Sequence, residues 1–341
     1  MIVGFILLIL VWLLPTKGNM ICCQREQSQM LKFIAALIVV IGHQAGFYCS
    51  PNETFMRETG LGSCCVSFFL FMSGYGLLYS YVEKQQRLSA LWLKRRMVKL
   101  VVPALTAMAL YVVAEVAVGK EVDWGNLLTY WFVSDVNLRY GWYVSEIIVL
   151  YIVFFMLYRS LSVKRATFMI CIVVGVAACI MVAMKCAIWY VLGLPCFLMG
   201  LLLATHDIGE KQCRLHLPPL QMKLLVSVIV FSFFFLKNFD MVQQTVPMLD
   251  KWRYVLVSMF MANIVFIIGV AYILMRLPIC KPFVNRGGYF YEVYLVQGAA
   301  LLVCREWINN DGLFVLFGLF TTVVVAKGMS MVNNWIVKNI F

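Results

Sequence analysis

Charge is scarce in this chain: Asp, Glu, Lys and Arg make up 13% of its 341 residues, against 63% hydrophobic residues. So little polar surface cannot wrap a soluble globule of this size, and a mean hydropathy of +0.89 points to lipid as the solvent. Acids are scarcest, 16 against 28 bases, for a formal net charge of +12. The bases form no single patch beside an ordinary fold, which argues against nucleic acid as a partner. Histidine occurs only three times, and no Cys and His spacing resembles a zinc site, so no metal is expected. Internal repeats, low-complexity tracts and long linkers are missing as well. Residues 25–341 therefore read as one membrane domain, preceded by an apolar extension at 1–24.

What the chain does have is apolar runs, at 31–49, 63–82, 100–118, 142–158, 166–184, 187–205, 224–238, 254–275, 289–304 and 312–326. Most approach the ~20 residues that cross ~30 Å of hydrocarbon at 1.5 Å per residue. They are continuous rather than alternating, which excludes barrel strands. The expected fold is all-α, a polytopic membrane bundle of about ten transmembrane helices. Residues 1–14, MIVGFILLILVWLL, stand outside this pattern. They are either an extra N-terminal anchor or a stretch ahead of a translation start at Met20 or Met30. A cleaved signal fits less well, because no basic residue precedes the run and no A-x-A-like site follows it.

Lys and Arg set the expected orientation. Placing the 83–99 connection in the cytoplasm puts Lys84, Arg87, Lys94, Arg95, Arg96 and Lys99 inside, together with Lys17, Arg25 and Lys32 before them and Lys327 and Lys338 after. Most bases then share one side, as the positive-inside rule requires. The expectation is a multi-pass protein of the cell membrane with both ends of its core in the cytoplasm. Most of the twelve cysteines fall in apolar helices or on the inner side, as small hydrophobes. Cys49, Cys64 and Cys65 lie at expected outer helix ends, where an oxidising exterior permits a disulfide.

An ionisable group within a spanning helix costs roughly 2.5 to 3.5 kcal/mol, so those present mark candidate function. His43 sits in the first run, in IAALIVVIGHQAGFY (34–48), whose small residues also suit close helix approach. An imidazole titrating near pH 6.5 can take a proton at working pH, and its neutral nitrogen can attack an acyl group. Glu115 and Glu146 share the outer half of the membrane with His43, whereas Glu292 lies one turn from an inner helix end. An outer polar pocket around His43 and an inner one around Glu292 are expected. His206 and His216 fall in a stretch read as a solvated loop. In LKRRMVKLVVP (93–103), Arg96 and Lys99 share a helix face suited to polyphosphate, or simply form the basic flank of a helix.

Five stretches then resemble one family in order. MLKFIAALIVVIGH is similar to the opening helix of the acyltransferase 3 family of membrane-bound acyltransferases, with Lys32 at the family's charged turn and His43 at its histidine. FFLFMSGYGLLYSY (68–81) resembles the family's second helix, which contains Ser73; KRRMVKLVVP resembles its R-R-x-x-R-x-x-P loop. GWYVSEIIVLYI (141–152) matches its W-[FY]-[LV] helix through Trp142, and YFYEVYLVQ (289–297) its S-x-E-I-Y-L-x-[HQ] segment through Glu292 and Gln297. The chain departs from the family at Gln29–Phe33, where D-G-L-R-G is common. It also departs at Lys99, which gives up a bidentate Arg fork, and at Gln297, where many members carry a second His.

The resemblance implies transfer of an acyl group, usually acetyl from acetyl-CoA, to a hydroxyl of a cell-envelope glycan or lipid-linked sugar. Arg95, Arg96 and Lys99 would hold the donor. His43 would act as base or acyl carrier, with Glu146 beside it. The alternative from another class is a proton-coupled transporter or flippase relaying protons through His43, Glu115, Glu146 and Glu292. No pair of broken helices recurs in two halves to favour it.

Overall fold

In lipid an uninterrupted apolar chain satisfies its backbone by helix formation. A computed structural model describes residues 12, 25–47, 61–83, 88–122, 124, 141–186, 189–210, 223–224, 227–228, 263–264, 267 and 281–341, and among them is helix and no strand. The helices are α1 (Arg25–Gln44), α2 (Leu61–Glu83), α3 (Ala90–Ala117), α4 (Trp142–Ser160) and α5 (Val163–Ala183). They continue with α6 (Trp189–Leu192), α7 (Leu194–Glu210), α8 (Lys281–Arg286), α9 (Phe290–Trp307) and α10 (Asp311–Ile340). Single 3-10 turns follow α1 at Ala45–Phe47 and α8 at Gly287–Tyr289.

The expected all-α class holds. Among the described residues, five helices are long and apolar enough to cross a membrane, within Gly62–Val82, Ala90–Ala117, Trp142–Ser160, Val163–Ala183 and Asp311–Ile340. The runs at 31–49 and 289–304 do form α1 and α9. Polar residues at their ends (Arg25, Glu26, Gln27; Glu292, Arg305, Glu306) leave each short of an apolar span. The run at 187–205 is split at Gly193 into α6 and α7, and its apolar part, Trp189–Thr205, is short. The runs at 224–238 and 254–275 lie almost wholly outside the described residues, as does the extension at 1–24 apart from Trp12. The last run exceeds expectation: α10 has 30 residues, about 45 Å at 1.5 Å per residue.

The chain divides into two compact units. The first comprises residues 1–28, 66–86 and 162–280. Here α2 and α7 meet at glycines. A Cβ on Gly200 would strike the Phe71 carbonyl oxygen and stand 2.8 Å from the Tyr75 nitrogen, and one on Gly74 would strike the Phe197 carbonyl oxygen. Val191 and Leu192 of α6 bury themselves against Ala178, Met181 and Val182 at the end of α5. The Asn263 amide donates to the Leu192 carbonyl at 3.4 Å. Trp12 donates its indole N–H to Ser227 Oγ at 3.2 Å, and Lys223 Nζ donates to the Trp12 carbonyl at 2.8 Å.

The second unit comprises residues 29–65, 87–161 and 281–341, and holds α3, α4, α8, α9, α10 and nearly all of α1. Ser89 caps α3, its Oγ accepting from the Trp92 N–H at 3.2 Å, and the Asn310 carboxamide oxygen caps α10 through the Leu313 N–H at 3.0 Å. The hairpin between α9 and α10 is pinned by Arg305, which pairs with Asp311 at 2.6 Å, donates to the Ile308 carbonyl at 3.1 Å and lies over the Phe314 ring. Two details differ from the sequence reading. Gly42 and Gly46 face open space, so the close approach near His43 is made instead by Gly318, where an added Cβ would stand 2.7 Å from the Gln44 amide nitrogen. His206 lies in the last turns of α7 rather than in a loop, while His216 and Cys49 fall outside the described residues. Cys64 and Cys65 are buried.

Candidate functional site

His43 occupies the last turn of α1, and its Nδ1 stands 3.0 Å from Gln297 Oε1 on α9. The direction of this bond follows from the other end of the amide. Gln297 Nε2 donates to the Tyr294 carbonyl at 2.8 Å, and a carbonyl can only accept. The NH2 group therefore faces Tyr294, the oxygen faces His43, and the shared proton belongs to Nδ1. A neutral imidazole held this way keeps its lone pair on Nε2, the tautomer that a base or nucleophile needs. Gln297 is fully buried, with 0% exposure, so this amide is not competed for by solvent. Next to it, a Cβ at Gly298 would strike the Tyr111 hydroxyl, which shows how closely α9 approaches α3.

Ring contacts carry the arrangement on to α4. Tyr294 meets Tyr143 edge-to-face at 5.4 Å between centroids, and Tyr143 meets Trp142 at 6.5 Å. Glu146 is one turn along α4 from Tyr143, on the same side of the helix. Both Glu146 carboxylate oxygens and the adjacent Ser145 Oγ are buried without a hydrogen-bond partner among the described residues. No hydrogen bond joins Glu146 to His43. Glu115 stands half-buried in the final turn of α3.

A second polar cluster joins three helices. Thr106 Oγ1 of α3 donates to Asn333 Oδ1 of α10 at 2.7 Å, and Asn333 Nδ2 donates to Glu292 Oε1 of α9 at 3.4 Å. Beside it, the Tyr291 hydroxyl donates to the Leu100 carbonyl at 3.2 Å. Lys32 extends over the Phe290 ring, 5.5 Å from its centre.

The basic stretch is helical and lies at the start of α3. Arg96 covers the Trp92 ring at 5.5 Å, Trp92 stacks on Phe155 of α4 at 6.2 Å and 11°, and Arg159 covers Phe155 at 5.6 Å. Two guanidinium groups thus flank a pair of stacked rings, each held in place with its N–H edge available for oxyanions. Lys94 and Arg95 lie over the Phe341 ring at 5.5 and 5.7 Å, and Lys99 is exposed. Ser73 is in the first unit, half-buried beside Gly74. Arg159, Tyr294, Asn333 and Ser145 are additions that sequence reading missed. Of these, only Arg159 had a signal, a base at a helix end. No group of three or more His, Cys, Asp or Glu suited to a metal occurs among the described residues.

No curated protein and no solved structure matches the chain. A family model described as an acyltransferase domain matches residues 27–330, from the polar start of α1 to deep within α10, and takes in His43, the basic start of α3, Glu146 and Gln297. With nearly the whole chain matched, the chain belongs to the acyltransferase 3 family and is a membrane acyltransferase.

Proposed function

We propose that the protein moves an acyl group, acetyl in the simplest case, from acyl-CoA to a hydroxyl of a cell-envelope glycan or lipid-linked sugar. The observation that carries this reading is the Gln297 amide, which leaves Nε2 of His43 as the ring's lone-pair nitrogen. In the reaction, Nε2 takes the proton of the acceptor hydroxyl while its oxygen attacks the thioester carbonyl carbon. The C–S bond then breaks, and the CoA thiolate leaves with the proton returned from the imidazolium. The Nδ1–H bond to Gln297 strengthens as the ring becomes charged, which favours the transition state over the resting enzyme. Arg95, Arg96, Lys99 and Arg159 supply cations suited to the donor's phosphates. The unpartnered Ser145 and Glu146 offer polar groups to a hydroxyl-rich acceptor. We place the basic connections in the cytoplasm of a cell-membrane protein, where acyl-CoA is made.

The direct test is release of free CoA by the purified protein on addition of acetyl-CoA and envelope glycan, with acyl-glycan measured by mass. Glu in place of Arg96 is expected to raise the KM for acetyl-CoA about tenfold or more, the scale of one charge-assisted phosphate contact. Absence of CoA release with every glycan and acyl-CoA offered would remove the reading, and an unchanged KM would remove Arg96 from the donor site.

Replacing Gln297 by Leu keeps the volume but removes the acceptor for Nδ1–H. The ring then samples the wrong tautomer, and kcat is expected to fall about 10- to 100-fold, or ~1.4 to 2.7 kcal/mol, with little change in the KM for acyl-CoA. A wild-type kcat in this variant would show that the amide does not orient the base.

A further inference from the structure

A groove of about 590 Å³ runs between α1 and α10, away from the reacting histidine. Phe33, Leu37 and Ile41 form one wall at helical spacing, and Leu319, Val323 and Val324 form much of the other. Ile41 precedes His43 by two residues, which at 100° per residue turns their side chains to nearly opposite sides of α1. The groove is therefore not the path to His43. Its apolar walls also disfavour the amide-bearing arm of CoA, whose polar groups would lose water without gaining partners.

The two ends of the groove differ. Just beyond Ile41 and Leu319, Gln44 Nε2 donates to the Val315 carbonyl at 3.0 Å and ties α1 to α10. At the opposite end stand Arg286 and Lys327, both exposed, and neither meets a carboxylate among the described residues. That end is built rather than loose. Phe33 packs edge-on against Tyr289 at 5.8 Å, Lys327 Nζ lies 5.3 Å from the Tyr289 ring centre, and Arg286 donates to the Pro282 carbonyl at 3.4 Å. From Phe33 to Ile41 the groove extends about 12 Å at 1.5 Å per residue, within the ~15 Å of one bilayer leaflet.

An apolar slot one leaflet deep, with two cations at the headgroup end that meet no carboxylate among the described residues, has the chemistry of a single lipid. We infer that the α1–α10 groove binds an anionic phospholipid, one acyl chain lying between Phe33 and Ile41 and its phosphate between Arg286 and Lys327. Both cations present long stems that reach a headgroup, Arg286 from the end of α8 and Lys327 from within α10.

The test uses the full chain in detergent and native mass spectrometry with phosphatidylglycerol and phosphatidylcholine of identical acyl chains. Phosphatidylglycerol is expected to be retained about 10- to 30-fold better, and the double variant Arg286→Gln, Lys327→Gln to lose that preference. Val323→Trp, which fills the slot, is expected to lower retention of both lipids at unchanged thermal stability. Equal retention of the two lipids by the wild type, or an undiminished preference in the double variant, would overturn the assignment. Displacement of the lipid by inorganic phosphate alone would reduce the site to a headgroup contact, and displacement by acetyl-CoA would make it part of the donor site. Either result rejects the proposal.

Discussion

Substitution of His43 by Ala is expected to lower acyl transfer by about 10³-fold, the middle of the range that a positioned general base contributes. The magnitude follows from the lack of a substitute. Among the described residues no second histidine faces His43; the position where a family relative would carry one holds Gln297, an amide that cannot take up a proton at working pH. Removing the ring also leaves the buried Gln297 oxygen without its donor, a loss of about 1 to 3 kcal/mol of stability. Fold and chemistry are separated by a second variant, His43→Gln, which can still donate toward Gln297 but cannot act as a base. Both variants are expected to insert in the membrane and to elute as monodisperse protein, with thermal unfolding shifted more for Ala than for Gln, while CoA release with acceptor falls alike in both. Activity within tenfold of wild type in His43→Gln would exclude the histidine as base.

How much of this was legible from sequence depends on the kind of interaction. Helices α2, α3, α4, α5 and α10 were visible because a spanning segment needs a local, continuous apolar run. The last turns of α10 were not. Lys327, Asn333 and Asn334 end the apolar run, but Asn333 is polar for a tertiary reason, its contacts with Thr106 and Glu292. The break at Gly193 was hidden because apolar residues continue on both sides of it. In the site, His43 stood out as an ionisable group in an apolar run, and Gln297 as a departure from the family's pattern. Their pairing spans 254 positions in the chain, and no local spacing records it. The stack from Arg96 through Trp92 and Phe155 to Arg159 was half visible: Arg96 counted toward the topology, whereas the pairing of Trp92 on α3 with Phe155 on α4 is tertiary and no local spacing records it.

Ala in place of Gly200 is expected to destabilise the protein by about 1 to 3 kcal/mol or more, because the added methyl meets backbone rather than a movable side chain. The obstructing atoms are the Phe71 carbonyl oxygen and carbon, the latter at 3.0 Å, and the Tyr75 nitrogen at 2.8 Å. Gly74 is the reciprocal case, its added Cβ striking the Phe197 carbonyl oxygen, with the Leu201 nitrogen at 3.3 Å. Helices α2 and α7 thus touch backbone to backbone, and in lipid such small-residue contacts replace the hydrophobic drive that holds soluble helices together. Either methyl forces the helices apart and forfeits the dispersion contacts along both. The two effects share one interface, so the double variant is expected to cost less than the sum. Gly76 supplies the control. It lies two residues beyond Gly74 in the same SGYG stretch, but a Cβ there meets nothing within 4 Å. Ala at Gly76 is expected to be neutral or to stabilise by up to about 1 kcal/mol through helix propensity. Thermal unfolding in one detergent should order the proteins as Gly76→Ala, wild type, then Gly200→Ala, and the membrane yield of folded protein should follow. If Gly200→Ala and Gly76→Ala unfold together, the helices are not in backbone contact at this position, and the glycine of the second-helix motif needs another explanation.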